Sequence, residues 1–126
     1  MKTTQYFANY FKTIYQNLES IDSAQLEQAS SMSWETHQSS KKIIIAGNGG
    51  SAAMASHVAV DFTKAAGIRA INFNEADLIT CFANDYGYEY WVAKALEAYA
   101  DLGDLAILIS SSGKSPNIVK GAEKAK

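Results

Sequence analysis

Ile43-Ile44-Ile45-Ala46-Gly47-Asn48-Gly49-Gly50-Ser51 changes character halfway along. Its first half is a short β-branched run, which suits a strand buried on both faces. Its second half is a glycine turn. From Ser51 to Ala66 the chain is alanine-rich and reads as a helix, closed by Gly67 at its C-cap. Strand, glycine turn and helix in this order form the opening of a βα unit.

Downstream the alternation continues. Arg69 to Phe73 reads as a second strand, and Asn74 with Asp77 as a cap leading into a short helix through Cys81. Asn84-Asp85-Tyr86-Gly87 reads as a turn, followed by a helix from Glu89 to Ala100. After Gly103-Asp104 comes a third strand, Leu105 to Ile109. Ser110 to Lys114 is a loop, and Ser115-Pro116 opens a last helix with serine at the cap and proline at the first helical position. The expected class is therefore α/β, with a parallel sheet and right-handed crossovers. In such a sheet ligands bind beyond the C-terminal ends of the strands, where both Gly/Ser loops would sit.

Upstream, two helices are expected. Phe7, Phe11, Ile14, Tyr15 and Leu18 recur at helical spacing and make one apolar face. Ile21-Asp22 marks a break, and Asp22 with Gln25 resembles a capping box for a second helix. That helix is expected to carry Leu26, Ala29, Met32 and Trp34 inward and to end near Ser39-Ser40. Residues 1–40 thus read as a helical packing or oligomerisation segment, and residues 41–126 as part of the α/β domain.

At 126 residues, 48% hydrophobic and 19% charged, the chain fits one globular domain. A net charge of −2 gives no broad electrostatic reason to bind nucleic acid or an anionic membrane. Phosphate would have to be held locally, by backbone amides and hydroxyls. One cysteine, Cys81, rules out an internal disulfide, fits a reducing cytoplasm and is expected to be buried packing. Met1 to Tyr10 is polar and aromatic rather than a basic-plus-apolar signal, and no apolar run can span a bilayer.

Two loops carry the chemistry. Gly47-Asn48-Gly49-Gly50-Ser51 is neither a Walker motif nor G-x-G-x-x-G. Its glycines permit close approach of backbone to ligand, and the helix start that follows offers N–H groups to an anion. A tight structural turn explains the same residues. Ser110-Ser111-Ser112-Gly113-Lys114-Ser115 sets several hydroxyls beside another helix N-terminus, which suits a phosphate. His57 and Asp61, four apart on one helix, face the same way. They could hold a divalent metal or do acid–base work on a sugar, although by spacing alone such a pair is more often a surface ion pair. His37 has no acidic residue four positions away in its helix and reads as a surface or interface histidine.

Taken together, these blocks resemble the phosphoheptose isomerases of the sugar isomerase (SIS) family. The resemblance rests on Gly47-Asn48-Gly49-Gly50-Ser51-Ala52-Ala53 with His57, on Asn84-Asp85-Tyr86-Gly87-Tyr88, and on Gly103-Asp104 followed by Ile109 to Ser115. It spans about Lys42 to Lys126, and the two leading helices fit the family's N-terminal bundle. It implies a flavodoxin-like, three-layer parallel sheet with N-terminal helices. It also implies an enzyme interconverting sedoheptulose 7-phosphate and a heptose 7-phosphate, the first step towards the heptose of bacterial surface polysaccharide such as lipopolysaccharide. Homotetramers with active sites between subunits, and bound zinc, belong to the same expectation.

Carried over by residue, Ser51, Ser110, Ser111, Ser112 and Ser115 would line the sugar-phosphate site, with Asn48 and Gly49 approaching it through the loop. Asn84 and Asp85 would contact substrate hydroxyls. His57 and Asp61 would be metal ligands, with Asp61 also the acid/base carboxylate. Two departures stand out. Many phosphoheptose isomerases have glutamate where this chain has Asp61, one methylene longer. The family also continues through further βα units that carry a glutamine and a histidine ligand, so the chain reads as truncated at Lys126. The competing readings are a non-catalytic SIS protein that binds a sugar phosphate or a protein partner, and an isomerase of a different phosphosugar.

Overall fold

The computed structural model describes residues 3–126; Met1 and Lys2 lie outside the described residues. The chain divides into two compact units, Met1–Ser31 and Met32–Lys126.

In the first unit, α1 (Thr3–Glu19) forms where the aromatic spacing predicts it. Tyr6 and Tyr10 stack at 6.2 Å between centroids, and Phe7 and Phe11 do the same one residue on. Phe11, Tyr15 and Leu18 are all about three-fifths exposed. A second helix, α2 (Ser23–Gln38), starts in this unit. Asp22 Oδ1 accepts a hydrogen bond from the Ala24 N–H, which satisfies one of the open donors of the first turn.

The second unit takes in the end of α2. The expected inward set is corrected here: Leu26, Ala29, Met32 and Trp34 are exposed, and Ser33 and Thr36 are the buried residues of α2. Small polar side chains can be buried because the helix itself absorbs their hydroxyls, as Thr36 Oγ1 shows by donating to the Met32 carbonyl. The helix ends in a Schellman turn, with Ser40 N–H bonded to the His37 carbonyl and Lys41 N–H to that of Thr36. Ser40 therefore takes a left-handed φ of 57°.

The sheet has three parallel strands, β1 (Ile43–Gly47), β2 (Ala70–Asn72) and β3 (Leu105–Ile109), in the order β2-β1-β3. Ile44 pairs with Ile71 on one side and Ala106 on the other. Central placement explains why β1 is apolar at every position: it is buried along its whole length. Alternation then divides its side chains between two cores. Ile43 and Ile45 pack with Ala55, Ala59 and Ile68 on the side of α3 (Gly50–Lys64). Ile44 and Ala46 pack with Trp91, Val92, Ala95, Leu96 and Ile118 on the opposite side. That second layer consists of α4 (Ala76–Tyr86), α5 (Trp91–Tyr99) and α6 (Pro116–Ala125). The expected three-layer α/β arrangement is present.

Several local expectations are corrected. The cap of α4 is Glu75, whose carboxylate accepts from the Leu78 N–H, rather than Asn74. Asn84, Asp85 and Tyr86 form the last turn of α4, not a free turn, and the chain leaves the helix at Gly87. Nothing in the local sequence stops α4 at Cys81, so intrinsic propensity carries it on to the glycine. Cys81, expected as buried packing, is exposed. Among the described residues no helix is long and apolar enough to cross a membrane.

Candidate active site

At the C-terminal end of β1 the chain turns through Gly47-Asn48-Gly49 into α3. Gly47 is buried and leaves no space for a side chain: a Cβ there would lie 2.6 Å from the Ser51 carbonyl oxygen. Gly49 precedes α3 at φ 54°, a backbone state open to glycine. No side chain caps the first turn of α3. The helix instead closes on the loop's own carbonyls, with Ser51 N–H bonded to Asn48 and Ala52 N–H to Gly49. An uncapped N-terminus at the end of a buried strand suits an anion.

At the C-terminal end of β3, paired with β1 through Gly47 and Ile109, lies the serine loop. Ser110 Oγ sits 3.5 Å from Ser112 Oγ and 3.2 Å from Ser115 Oγ. Ser115 occupies the N-cap of α6, as its sequence implies, yet its hydroxyl makes no capping bond. It turns into the loop, and the hydroxyls of Ser110, Ser112 and Ser115 gather beside the helix start. Ser111 and Lys114 are exposed on the same loop.

The two loops are joined by side chains. Asn48 Nδ2 donates to Asn117 Oδ1 at 2.9 Å, and Asn117 Nδ2 donates to Asn48 Oδ1 at 2.8 Å. The Tyr88 hydroxyl donates to the same Asn48 Oδ1 at 3.1 Å, which ties the segment after α4 to this edge. Below the turn, Asn74 clasps Gly47 from both sides: its Oδ1 accepts from the Gly47 N–H, and its Nδ2 donates to the Gly47 carbonyl. Asn74, Tyr88 and Asn117 are the polar residues that sequence reasoning missed as parts of this site. The available signals were that Asn74 stands just past β2 and Asn117 at the start of α6, and that Tyr88 closes the Asn84-Asp85-Tyr86-Gly87-Tyr88 block.

Asn48, Gly49, Ser51, Ser110, Ser111, Ser112 and Ser115 thus share one edge of the sheet. His57 and Asp61 stand apart, about 10 Å and about 16 Å along α3 from Gly50 at the rise of a helix. Their side chains are 79% and 60% exposed, with His57 Nε2 at 3.5 Å from Asp61 Oδ2. Asn84 donates to Asp85 Oδ1 at 2.9 Å on the exposed end of α4. As a metal site, His57 and Asp61 offer one imidazole nitrogen and one carboxylate, which are donors zinc accepts. A zinc centre takes at least three protein ligands. Among the described residues no third histidine, cysteine, aspartate or glutamate joins the pair, so the two do not by themselves make up a zinc centre.

The model of the SIS domain family matches residues 5–126. The chain belongs to the SIS domain family. Among SIS proteins it is similar to the phosphoheptose isomerase of Fusobacterium nucleatum, at 46% identity over 91 residues that cover 68% of this chain and 47% of that protein. It is 39% identical to the phosphoheptose isomerase of Helicobacter pylori over 95% of this chain and 65% of the relative. The structure of phosphoheptose isomerase from Neisseria gonorrhoeae superposes with a TM-score of 0.88 at 29% identity, covering 99% of this chain and 69% of that one. This SIS chain therefore spans about half to two thirds of the length of these curated relatives. The similarity to phosphoheptose isomerases extends through the helices, the sheet and both loops of the SIS fold.

Proposed function

We propose that this chain forms part of an isomerase that interconverts sedoheptulose 7-phosphate and D-glycero-D-manno-heptose 7-phosphate, serving heptose synthesis for bacterial surface polysaccharide in the cytoplasm. The observation that carries the reading is the pair of anion-suited loops at one sheet edge, joined through Asn48 and Asn117. Membership of the SIS family and similarity to phosphoheptose isomerases support the substrate class.

In this reading the phosphate sits against the starts of α3 and α6. Backbone N–H groups there and the hydroxyls of Ser51, Ser110, Ser111, Ser112 and Ser115 hold it, and binding at this remote group orients the sugar. Asn84 and Asp85 contact sugar hydroxyls. Isomerisation moves a proton between C1 and C2 through an enediol, so a base must reach both carbons. Those carbons lie at the opposite end of the heptose from the phosphate. The distance of His57 and Asp61 from the loops along α3 suits that arrangement, with Asp61 carrying the proton and His57 beside it. A zinc ion held in part by His57 and Asp61, with further ligands from outside residues 3–126 or from a second copy, would supply Lewis-acid stabilisation of the enediolate. Assembly as a homotetramer belongs to the same proposal, supported by the exposed aromatic face of α1.

A second reading, a SIS protein that binds a sugar phosphate without turning it over, is favoured by one observation. The acid–base pair is largely exposed, and a base in open water is neither oriented nor desolvated. Incubation with sedoheptulose 7-phosphate, with and without zinc, followed by NMR, separates the two. New aldose signals that vanish in His57→Ala support the isomerase. Shifted ligand signals without conversion, both in this chain and in a C-terminally extended one, support the binder and sink the isomerase.

A further inference from the structure

Asn117 is the second residue of α6 and is 2% exposed. A buried amide must satisfy both its ends, and Asn117 does so on a single partner, Asn48, in the first loop. The Tyr88 hydroxyl occupies the same Asn48 Oδ1. A carbonyl oxygen accepts two hydrogen bonds, so the Asn48 oxygen is fully engaged by the protein. It has no acceptor capacity left for a sugar hydroxyl. What the side chain does instead is fix the loop: Asn117 and Tyr88 pull on Asn48 from one side, while Asn74 clasps Gly47 from the other. The first turn of α3 has no side-chain cap, so beyond the backbone bonds to the Asn48 and Gly49 carbonyls these are the side-chain contacts that anchor the loop leading into Gly49-Gly50-Ser51.

We propose that Asn117 is a positioning residue: through Asn48 it holds the first loop in the shape that receives the phosphate, although it stands on the helix of the second loop. The proposal rests on the sugar-phosphate reading of the two loops. Its distinctive consequence is spatial. Loss of the Asn117 side chain removes the ligand's contact with the first loop and spares its contact with the nearby second loop. A residue that merely stabilised the fold would weaken both alike.

The test is a titration of the ¹⁵N-labelled chain with inorganic phosphate and, separately, with sedoheptulose 7-phosphate, read by amide shifts. In the wild type, the amides of Gly49, Gly50 and Ser51 and those of Ser111 to Ser115 are expected to move together. In Asn117→Ala, affinity should fall about tenfold, as for the loss of one or two orienting hydrogen bonds. The shifts at Gly49 to Ser51 should collapse while those at Ser111 to Ser115 persist. The double variant Asn48→Ala/Asn117→Ala should bind no more weakly than Asn48→Ala alone, because the two act as one unit. A folded Asn117→Ala with unchanged affinity and both sets of shifts intact overturns the proposal. Should Asn117→Ala fail to fold, Tyr88→Phe decides, since Tyr88 is half exposed: affinity is expected to drop two- to threefold, that is by about half of one hydrogen bond. Unchanged affinity in that variant overturns the proposal too. A wild-type chain that binds neither phosphate nor the sugar phosphate, before or after C-terminal extension, defeats the sugar-phosphate reading itself, which is a different result.

Discussion

Gly47 occupies a position where a single methyl group matters. With Ser51 backbone atoms under 3 Å from any added Cβ, Gly47→Ala must push the start of α3 away from β1. Overpacking of this kind costs about 1–3 kcal/mol, measurable by urea unfolding, and phosphate binding should weaken in parallel. Asn74 is the second such residue. Asn74→Ala strips two hydrogen bonds from the buried Gly47 backbone, and the loss should be about 1–3 kcal/mol in the same assay. His57 is the contrast, since its side chain is 79% exposed. His57→Ala should leave the thermal midpoint almost unchanged, so any loss of turnover in that variant reports chemistry rather than folding.

At the scale of elements, two joints invite measurement. The first is the end of α2, where Ser40 holds φ 57° in a turn that favours glycine. Its carbonyl, which accepts from the Arg69 guanidinium, would survive substitution by glycine. Ser40→Gly should therefore stabilise the second unit, by up to about 1 kcal/mol after the greater flexibility of unfolded glycine is counted. The second joint ties the starts of β1 and β3. Asp104, its side chain only 3% exposed, accepts from the Lys42 backbone N–H and pairs with the Lys42 ammonium, which also reaches Asp101 at 2.7 Å. Burial pushes the Asp104 carboxyl up, but hydrogen bonds from the Lys42 ammonium and from the Asp101 and Lys42 N–H groups outweigh it and hold the carboxyl below its usual range. Lys42 is pushed the other way, above the usual lysine range, first by Asp101 and then by Asp104. The carboxylate's contribution is thus complete above the unfolded value near about 4 and disappears as pH falls through the lower folded value. The ammonium's contribution is complete below about 10 and fades as pH rises through its higher folded value. Asp104→Asn should destabilise the chain at neutral pH and flatten the acid limb of its stability–pH curve, as urea midpoints at pH 7 and pH 3 would show.

For the whole molecule, the open question is what covers α1. Phe7, Phe11, Ile14, Tyr15 and Leu18 form one face of this helix, and each is exposed in the single chain. Contiguous apolar faces of this kind mark association surfaces. In the proposed assembly the α1 faces of several copies meet. Phe7→Glu/Phe11→Glu should then lower the mass found by sedimentation equilibrium while the circular dichroism of the α/β unit persists. An unchanged mass would remove α1 from the interface.

The sequence alone determined a good deal. A β-branched run ending in glycines suited a strand buried on both faces, because an unbroken apolar stretch needs cover on either side, and β1 is that strand. Strand β3 and the proline-led α6 were equally legible, since their limits are written in local residues. The two loops were legible as glycine- and serine-rich turns between a strand end and a helix start, because those residues interrupt the apolar runs on either side. What the tertiary structure decided was everything that depends on a distant partner. Asn48 and Asn117 lie far apart in sequence, and so do Gly47 and Asn74; only the parallel pairing of β1 with its neighbours brings them within a hydrogen bond. The exposure of Cys81 and the burial of Ser33 and Thr36 were likewise decided by where each helix meets the rest of the fold.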